Sequence, residues 1–117
     1  MHEVGIAASV LDAIRTELNR RPGARAIAVG LRIGELSGVE PSSLRFGFEA
    51  LVSGSELEPL RLDVEYLPRV QHCLDCDARF HADRYTLACP HCDSLRGECI
   101  SGDELDISYI ELAEEHA

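Results

Sequence analysis

Two Cys-x-x-Cys turns, Cys73/Cys76 and Cys89/Cys92, stand twelve residues apart in a chain of 117 residues. Each turn brings two sulfurs within reach of one ion. Two such turns on neighbouring hairpins complete a tetrahedral four-sulfur shell, which suits Zn(II) ahead of iron. A redox dithiol would need one such pair beside a βαβ unit, and residues 69–99 have no helical periodicity to supply it. Disulfide stapling is opposed by an odd fifth cysteine, Cys99, and by the want of an apolar signal segment, so the expected compartment is reducing and cytoplasmic. His72 directly precedes Cys73, and His91 lies inside Cys89-Pro90-His91-Cys92. Either imidazole is placed to donate to a thiolate or to replace one as ligand, and equally either is an ordinary solvated loop histidine. His81 adjoins no cysteine, and Cys99 reads as a simple thiol with no assigned role.

His2 supplies a second kind of chemistry, because the chain begins Met1-His2-Glu3. A lone histidine near a terminus is usually only solvated. Here, however, the α-amine, the His2 amide nitrogen and the imidazole Nδ1 can close two adjacent chelate rings around one ion. The Glu3 amide or another side chain is left to finish a plane, and planar nitrogen-rich sites favour Ni(II) or Cu(II). With a reference pKa of about 8, the α-amine makes such capture compete with protons near neutrality.

These groups need elements to hold them. Val4, Ala7, Ala8, Leu11, Ile14 and Leu18 recur at three- and four-residue steps, which predicts an amphipathic helix ended by Arg20-Arg21-Pro22-Gly23. Ile27, Val29, Leu31 and Ile33 predict a strand over 26–35. Pro41 is suited to open a second helix carrying Leu44, Phe48, Leu51 and Val52, which Gly54 closes. Leu60, Leu62, Val64 and Tyr66 alternate with polar residues as a half-buried strand, and Pro68 marks the entrance to the cysteine segment. Beyond that segment Leu105, Ile107 and Tyr109 alternate again, followed by Ile110 and Leu112, and the last four residues are expected to fray. A closing strand has no place in a small knuckle, so it should return to the first sheet. The expected fold is α+β: a small three-stranded sheet with two helices, and an inserted zinc-ribbon-like subdomain built on the four paired cysteines. The domain division is 1–68 with 100–117 for the discontinuous α/β part and 69–99 for the zinc subdomain, whose thirty-odd residues need a metal in place of a core.

Twenty-one acidic residues against eleven arginines and no lysine leave a formal charge of −10. Between Arg69 and Gly97, four arginines and four aspartates balance, and a tetrathiolate metal turns the segment negative. The electrostatic footprint of a nucleic-acid binder is missing. No apolar run is long enough to span a membrane, and no nucleophile motif or phosphate-cradling glycine loop points to an enzyme. A hydrolytic zinc centre is disfavoured because four thiolates leave no position for water.

Met1-His2-Glu3 leading into a helix, Gly34-Glu35-Leu36-Ser37-Gly38-Val39-Glu40-Pro41, the two Cys-x-x-Cys pairs and the closing Gly102-Asp103-Glu104-Leu105 together resemble the HypA/HybF family of nickel-insertion accessory proteins for [NiFe] hydrogenase. The resemblance spans essentially the whole chain. It implies Ni(II) as transient cargo at His2, with Glu3 nearby, and structural Zn(II) on Cys73, Cys76, Cys89 and Cys92. It also links Glu40 to nickel coordination, although a carboxylate there equally steadies the helix start. The implied activity is reversible nickel delivery with no covalent chemistry. The implied partners are the nickel-pathway GTPase HypB and the hydrogenase large-subunit precursor, with urease maturation proteins as further candidates. The chain would act as a monomer or a homodimer. The competing reading is a zinc-ribbon adaptor that binds protein or nucleic acid and has no nickel role.

Overall fold

The apolar spacing of the N-terminal region produces helix α1, Glu3–Asn19, in the computed structural model, which describes residues 3–83, 85 and 87–114. Helix α1 buries Ala7, Val10, Leu11 and Ile14, with Ile6 and Leu18 packed at the margin of the core. Val10 takes the place expected for Ala8, which is exposed, and Val4 is also largely outside the core. The larger side chain occupies the buried stripe because it excludes more water than alanine does. His2 lies outside the described residues.

Six strands lie among the described residues: β1 (Ala24–Gly34), β2 (Arg61–Leu67), β3 (Val70–Cys73), β4 (Arg79–His81), β5 (Gly97–Ser101) and β6 (Leu105–Glu114). They form two three-stranded sheets, ordered β2-β1-β6 and β4-β3-β5. Strands β1 and β2 are parallel, so their connection must cross over the sheet, and helix α2 (Pro41–Val52) makes that crossing. Pro41 occupies the first turn of α2, where its missing N–H costs nothing. The helix buries Leu44, Gly47, Phe48 and Val52, whereas Leu51 turns outward. At Gly47 the two helices come close, and a Cβ there would lie 3.1 Å from Val4 Cγ2.

Strand β6 pairs antiparallel along the other side of β1 from Ala24↔Glu114 to Ile33↔Leu105. The pairing therefore extends to Glu114, a residue expected to fray, while 115–117 are outside the described residues. Two irregularities change which side chains reach the core. The first, between Ala26 and Ala28, leaves Ile27 as an extra residue, so Ala26 joins Val29, Leu31 and Ile33 in the core in its stead. The second, at Ser108, reverses the phase of β6: Ile107, Ile110 and Leu112 face the helices, whereas Tyr109 lies over Gly30 on the opposite face. There its hydroxyl donates to the Asp63 carboxylate. On β2, Leu62 is buried and Val64 packs at the core margin, but Tyr66 is about half exposed at the strand's end.

The two sheets join where several backbones cross. Gly34 N–H donates to Glu104 C=O at 2.7 Å and Leu36 N–H to Gly102 C=O at 2.7 Å. A Cβ on Gly34 would stand 2.2 Å from the Gly102 carbonyl oxygen, so the approach itself demands glycine. Glu35 opens a single 3-10 turn, Glu35–Ser37, and one of its carboxylate oxygens receives Arg69 N–H at 3.1 Å and faces His81 Nε2 at 2.8 Å. His81, set aside in the sequence for want of a neighbouring cysteine, is thus part of the seam between the sheets.

Candidate metal centre

Two knuckles of the same construction present the cysteines. In the first, Asp77 N–H donates to Cys73 C=O at 2.9 Å and Cys73 N–H to Ala78 C=O at 2.8 Å. In the second, Asp93 N–H donates to Cys89 C=O at 2.8 Å and Cys89 N–H to Ser94 C=O at 2.9 Å. Asp77 and Asp93 both hold positive φ, 63° and 62°, in the left-handed region that aspartate tolerates better than most side chains. The repeat in the sequence is accordingly Cys-x-x-Cys-Asp, and the aspartates were its unread part.

The four sulfurs all lie within 4.8 Å of one another. Cys73 Sγ to Cys92 Sγ is 3.6 Å, and Cys76 Sγ to Cys89 Sγ is also 3.6 Å. A tetrahedral Zn(II) with bonds of about 2.3 Å separates its sulfurs by about 3.8 Å, so the donor set fits that ion in both number and spacing. Cys73 and Cys89 are buried while Cys76 and Cys92 face solvent, and the five cysteines are free thiols. Charge agrees with geometry. The Cys76 N–H holds the Cys73 thiol down to about 7. Against the lowering pull of the Ser94 N–H, the adjacent Cys73 sulfur and burial push Cys92 up to about 12. Sulfurs this close cannot all carry negative charge alone, and a divalent cation is what lets them.

Around the cluster, carboxylates organise the loops. Asp75 accepts from Arg96 Nη1 at 2.6 Å and from the Ser94 hydroxyl, and Leu74 N–H donates to Arg96 C=O at 2.8 Å. The first knuckle is thereby buckled to the second by protein groups alone. The ring nitrogens of His72 contact Glu98 at 3.3 Å and Asp77 at 3.2 Å, so of the roles its position beside Cys73 left open, this imidazole takes neither a thiolate nor plain solvent but a pair of carboxylates. At His91 the backbone N–H, at 3.4 Å, points to Cys89 Sγ. Cys99 is exposed, and its thiol donates to Ser101 C=O at 3.2 Å.

A second acidic locus forms where α1 begins. The Glu3 carboxylate accepts Glu40 N–H at 3.2 Å. Glu40 caps α2, its carboxylate receiving the Ser42 hydroxyl at 2.6 Å and Ser43 N–H at 2.7 Å. The Ser42 hydroxyl, followed by the Ser43 N–H, holds the Glu40 carboxyl down to about 2. Glu3 is also lowered, by its own backbone N–H and that of Glu40. A bond across thirty-seven residues of sequence thus ties the Glu40 backbone to the Glu3 carboxylate at the start of α1, with the Glu40 carboxylate near enough for the two charges to oppose one another.

A small α+β body joined to a four-thiolate sheet defines a metal-handling protein. Residues 1–112 match the family described as hydrogenase/urease nickel incorporation, metallochaperone, hypA. The chain belongs to this family, whose members are metallochaperones and maturation factors, not enzymes. The hydrogenase maturation factor HypA of Chlorobium limicola is 40% identical over 114 residues, spanning 97% of this chain and 98% of its own. That of Azotobacter chroococcum is 38% identical over 112 residues, spanning 96% and 99%. The solution structure of the Ni metallochaperone HypA from Helicobacter pylori has the same fold, with a TM-score of 0.64 at 22% identity over 98% of this chain and 100% of that one. Among the described residues, no helix is long and apolar enough to cross a membrane.

Proposed function

We propose that this chain carries Ni(II) at its amino end and releases it to the large-subunit precursor of a [NiFe] hydrogenase, while Zn(II) on Cys73, Cys76, Cys89 and Cys92 serves only architecture. The observation that carries the reading is the meeting of Glu3 with Glu40 beside the start of α1. It supports a cation site whose nitrogen donors are the Met1 α-amine, the His2 amide and the His2 imidazole. Such a site is open by construction, which ligand exchange during delivery requires. The zinc site is closed by four sulfurs, and when bound the ion supplies a fixed crossing point for the two knuckles. Delivery proceeds in the cytoplasm with the GTPase HypB, urease maturation proteins form a second client group, and neither nucleic acid nor membrane takes part. The chain works as a monomer or homodimer. Residues 1–68 and 100–117 form the nickel-handling domain, and 69–99 the zinc subdomain.

Substitution of His2→Ala tests this reading. Nickel per chain, measured by elemental analysis of untagged protein after gel filtration, should fall to a small fraction of the wild-type value while zinc stays at one per chain. Retention of a full equivalent of nickel would leave the delivery role without a site.

A further inference from the structure

Helix α2 carries a side chain that its own fold does not use. Phe46 is 76% exposed, although the helix buries Leu44 and Phe48 on either side of it. It lines a shallow depression with Glu3, Val4, Ser42 and Ser43, and Val4 is itself 56% exposed. A second depression is lined by Val39, Glu40, Pro41 and the half-exposed Tyr66. One exposed aromatic side chain thus stands with Glu3 and the other with Glu40, and Glu40 N–H donates to the Glu3 carboxylate. Around Phe46 the rim is acidic, with Glu49 one helical turn along the same exposed face. Arg45, the neighbouring cation, is held by the β2 edge through Nη1 to Leu62 C=O at 2.9 Å.

We propose that Phe46, aided by Tyr66 beside Glu40, is the docking anchor for the protein that receives the metal, and that the receiving surface is cationic with an apolar cavity for the ring. The inference rests on the nickel reading above. A metal ion passed by ligand exchange cannot travel through bulk water without being lost, so donor and acceptor must touch around the carboxylates. An exposed aromatic ringed by acidic groups is the feature that gives such a contact both affinity and orientation. A second copy of this chain is a poor occupant, since it would set one acidic rim against another.

The test uses full-length protein and purified, nickel-free hydrogenase large-subunit precursor. Phe46→Ser should weaken the complex at least about tenfold, while nickel affinity of the isolated protein changes less than about twofold, because a phenyl ring supplies no metal donor. Raising salt from about 50 to about 300 mM should weaken the wild-type complex further. Unchanged complex affinity in Phe46→Ser, or no wild-type complex at all, would overturn the proposal. So would a sedimentation profile in which the substitution dissolves a wild-type homodimer, because the patch would then belong to a second copy. If wild type takes up no nickel, the nickel reading fails by itself, and the complex measurement still decides the surface.

Discussion

Glu40 illustrates how an exposed carboxylate can serve structure through its ionised form. Its hydrogen bonds to Ser42 and Ser43 are made by the ionised form, and they hold its carboxyl down to about 2. A folded-state value below the unfolded one of about 4.3 means that its contribution is complete above that pH and disappears as pH falls toward 2. The melting-temperature difference between wild type and Glu40→Gln should therefore be full near pH 6 and close between about pH 4 and 2. A difference that stayed constant across that range would assign the cap to something other than charge. Asp75 has the corresponding role at the sulfurs, because it ties Ser94 and Arg96 of the second knuckle to the first. Asp75→Ala should accelerate zinc loss to a chelating dye severalfold with the zinc stoichiometry at saturation unchanged.

The elements are held by a core that the helices share with β1. Phe48 is 1% exposed and is among the largest side chains fully buried, so Phe48→Ala should cost about 3–5 kcal/mol in urea denaturation. Gly47 presents a competition. Alanine there would gain up to about 1 kcal/mol of helix propensity, but its Cβ meets Val4 Cγ2 at 3.1 Å. Val4 is exposed and can shift, so Gly47→Ala should come out near neutral or slightly stabilising in the same assay. A loss above about 1 kcal/mol would show that the α1–α2 crossing cannot relax. Strand β6 owes its place to the bulge at Ser108. Were Ser108 paired in regular alternation instead, Tyr109 would share the core face of Ile107 and lose its bond to Asp63.

At the scale of the whole molecule the chain is elongated, with a radius of gyration of 18.4 Å against about 13 Å for a sphere-like domain of this length. Two small sheets joined at a seam account for the difference. The second sheet and its knuckles have little apolar interior, since among the described residues from 69 to 101 the buried hydrophobic side chains are Cys73, Ala82 and Cys89, so their order should depend on the metal. Removal of zinc by chelation should abolish amide protection across β3, β4 and β5 while β1, β2 and the helices keep theirs, as read by hydrogen exchange. Loss of protection throughout would mean that the seam transmits unfolding. The seam itself is sterically strict. Gly34→Ala drives a Cβ against the Gly102 carbonyl, and it should destabilise at or beyond the upper end of the about 1–3 kcal/mol typical of overpacking.

Periodicity and spacing were enough to place both helices, the three strands of the first sheet and the pairing of Cys73/Cys76 with Cys89/Cys92, because these features depend on local repeats of about two, three and a half, or three residues. What local repeats cannot carry is register and long-range encounter. The bulges at Ile27 and Ser108 shift the faces of β1 and β6 by one residue, and only pairing across strands reveals them. The contacts of Glu3 with Glu40, of Glu35 with His81, and of Asp75 with Arg96 join residues that nothing in the linear order marks as partners. Their meeting is decided by how the two sheets and two helices close on one another. The sequence alone thus determined which atoms were available to bind metal, and the tertiary structure decided which of them stand together, since proximity across a fold comes from packing and not from spacing along the chain.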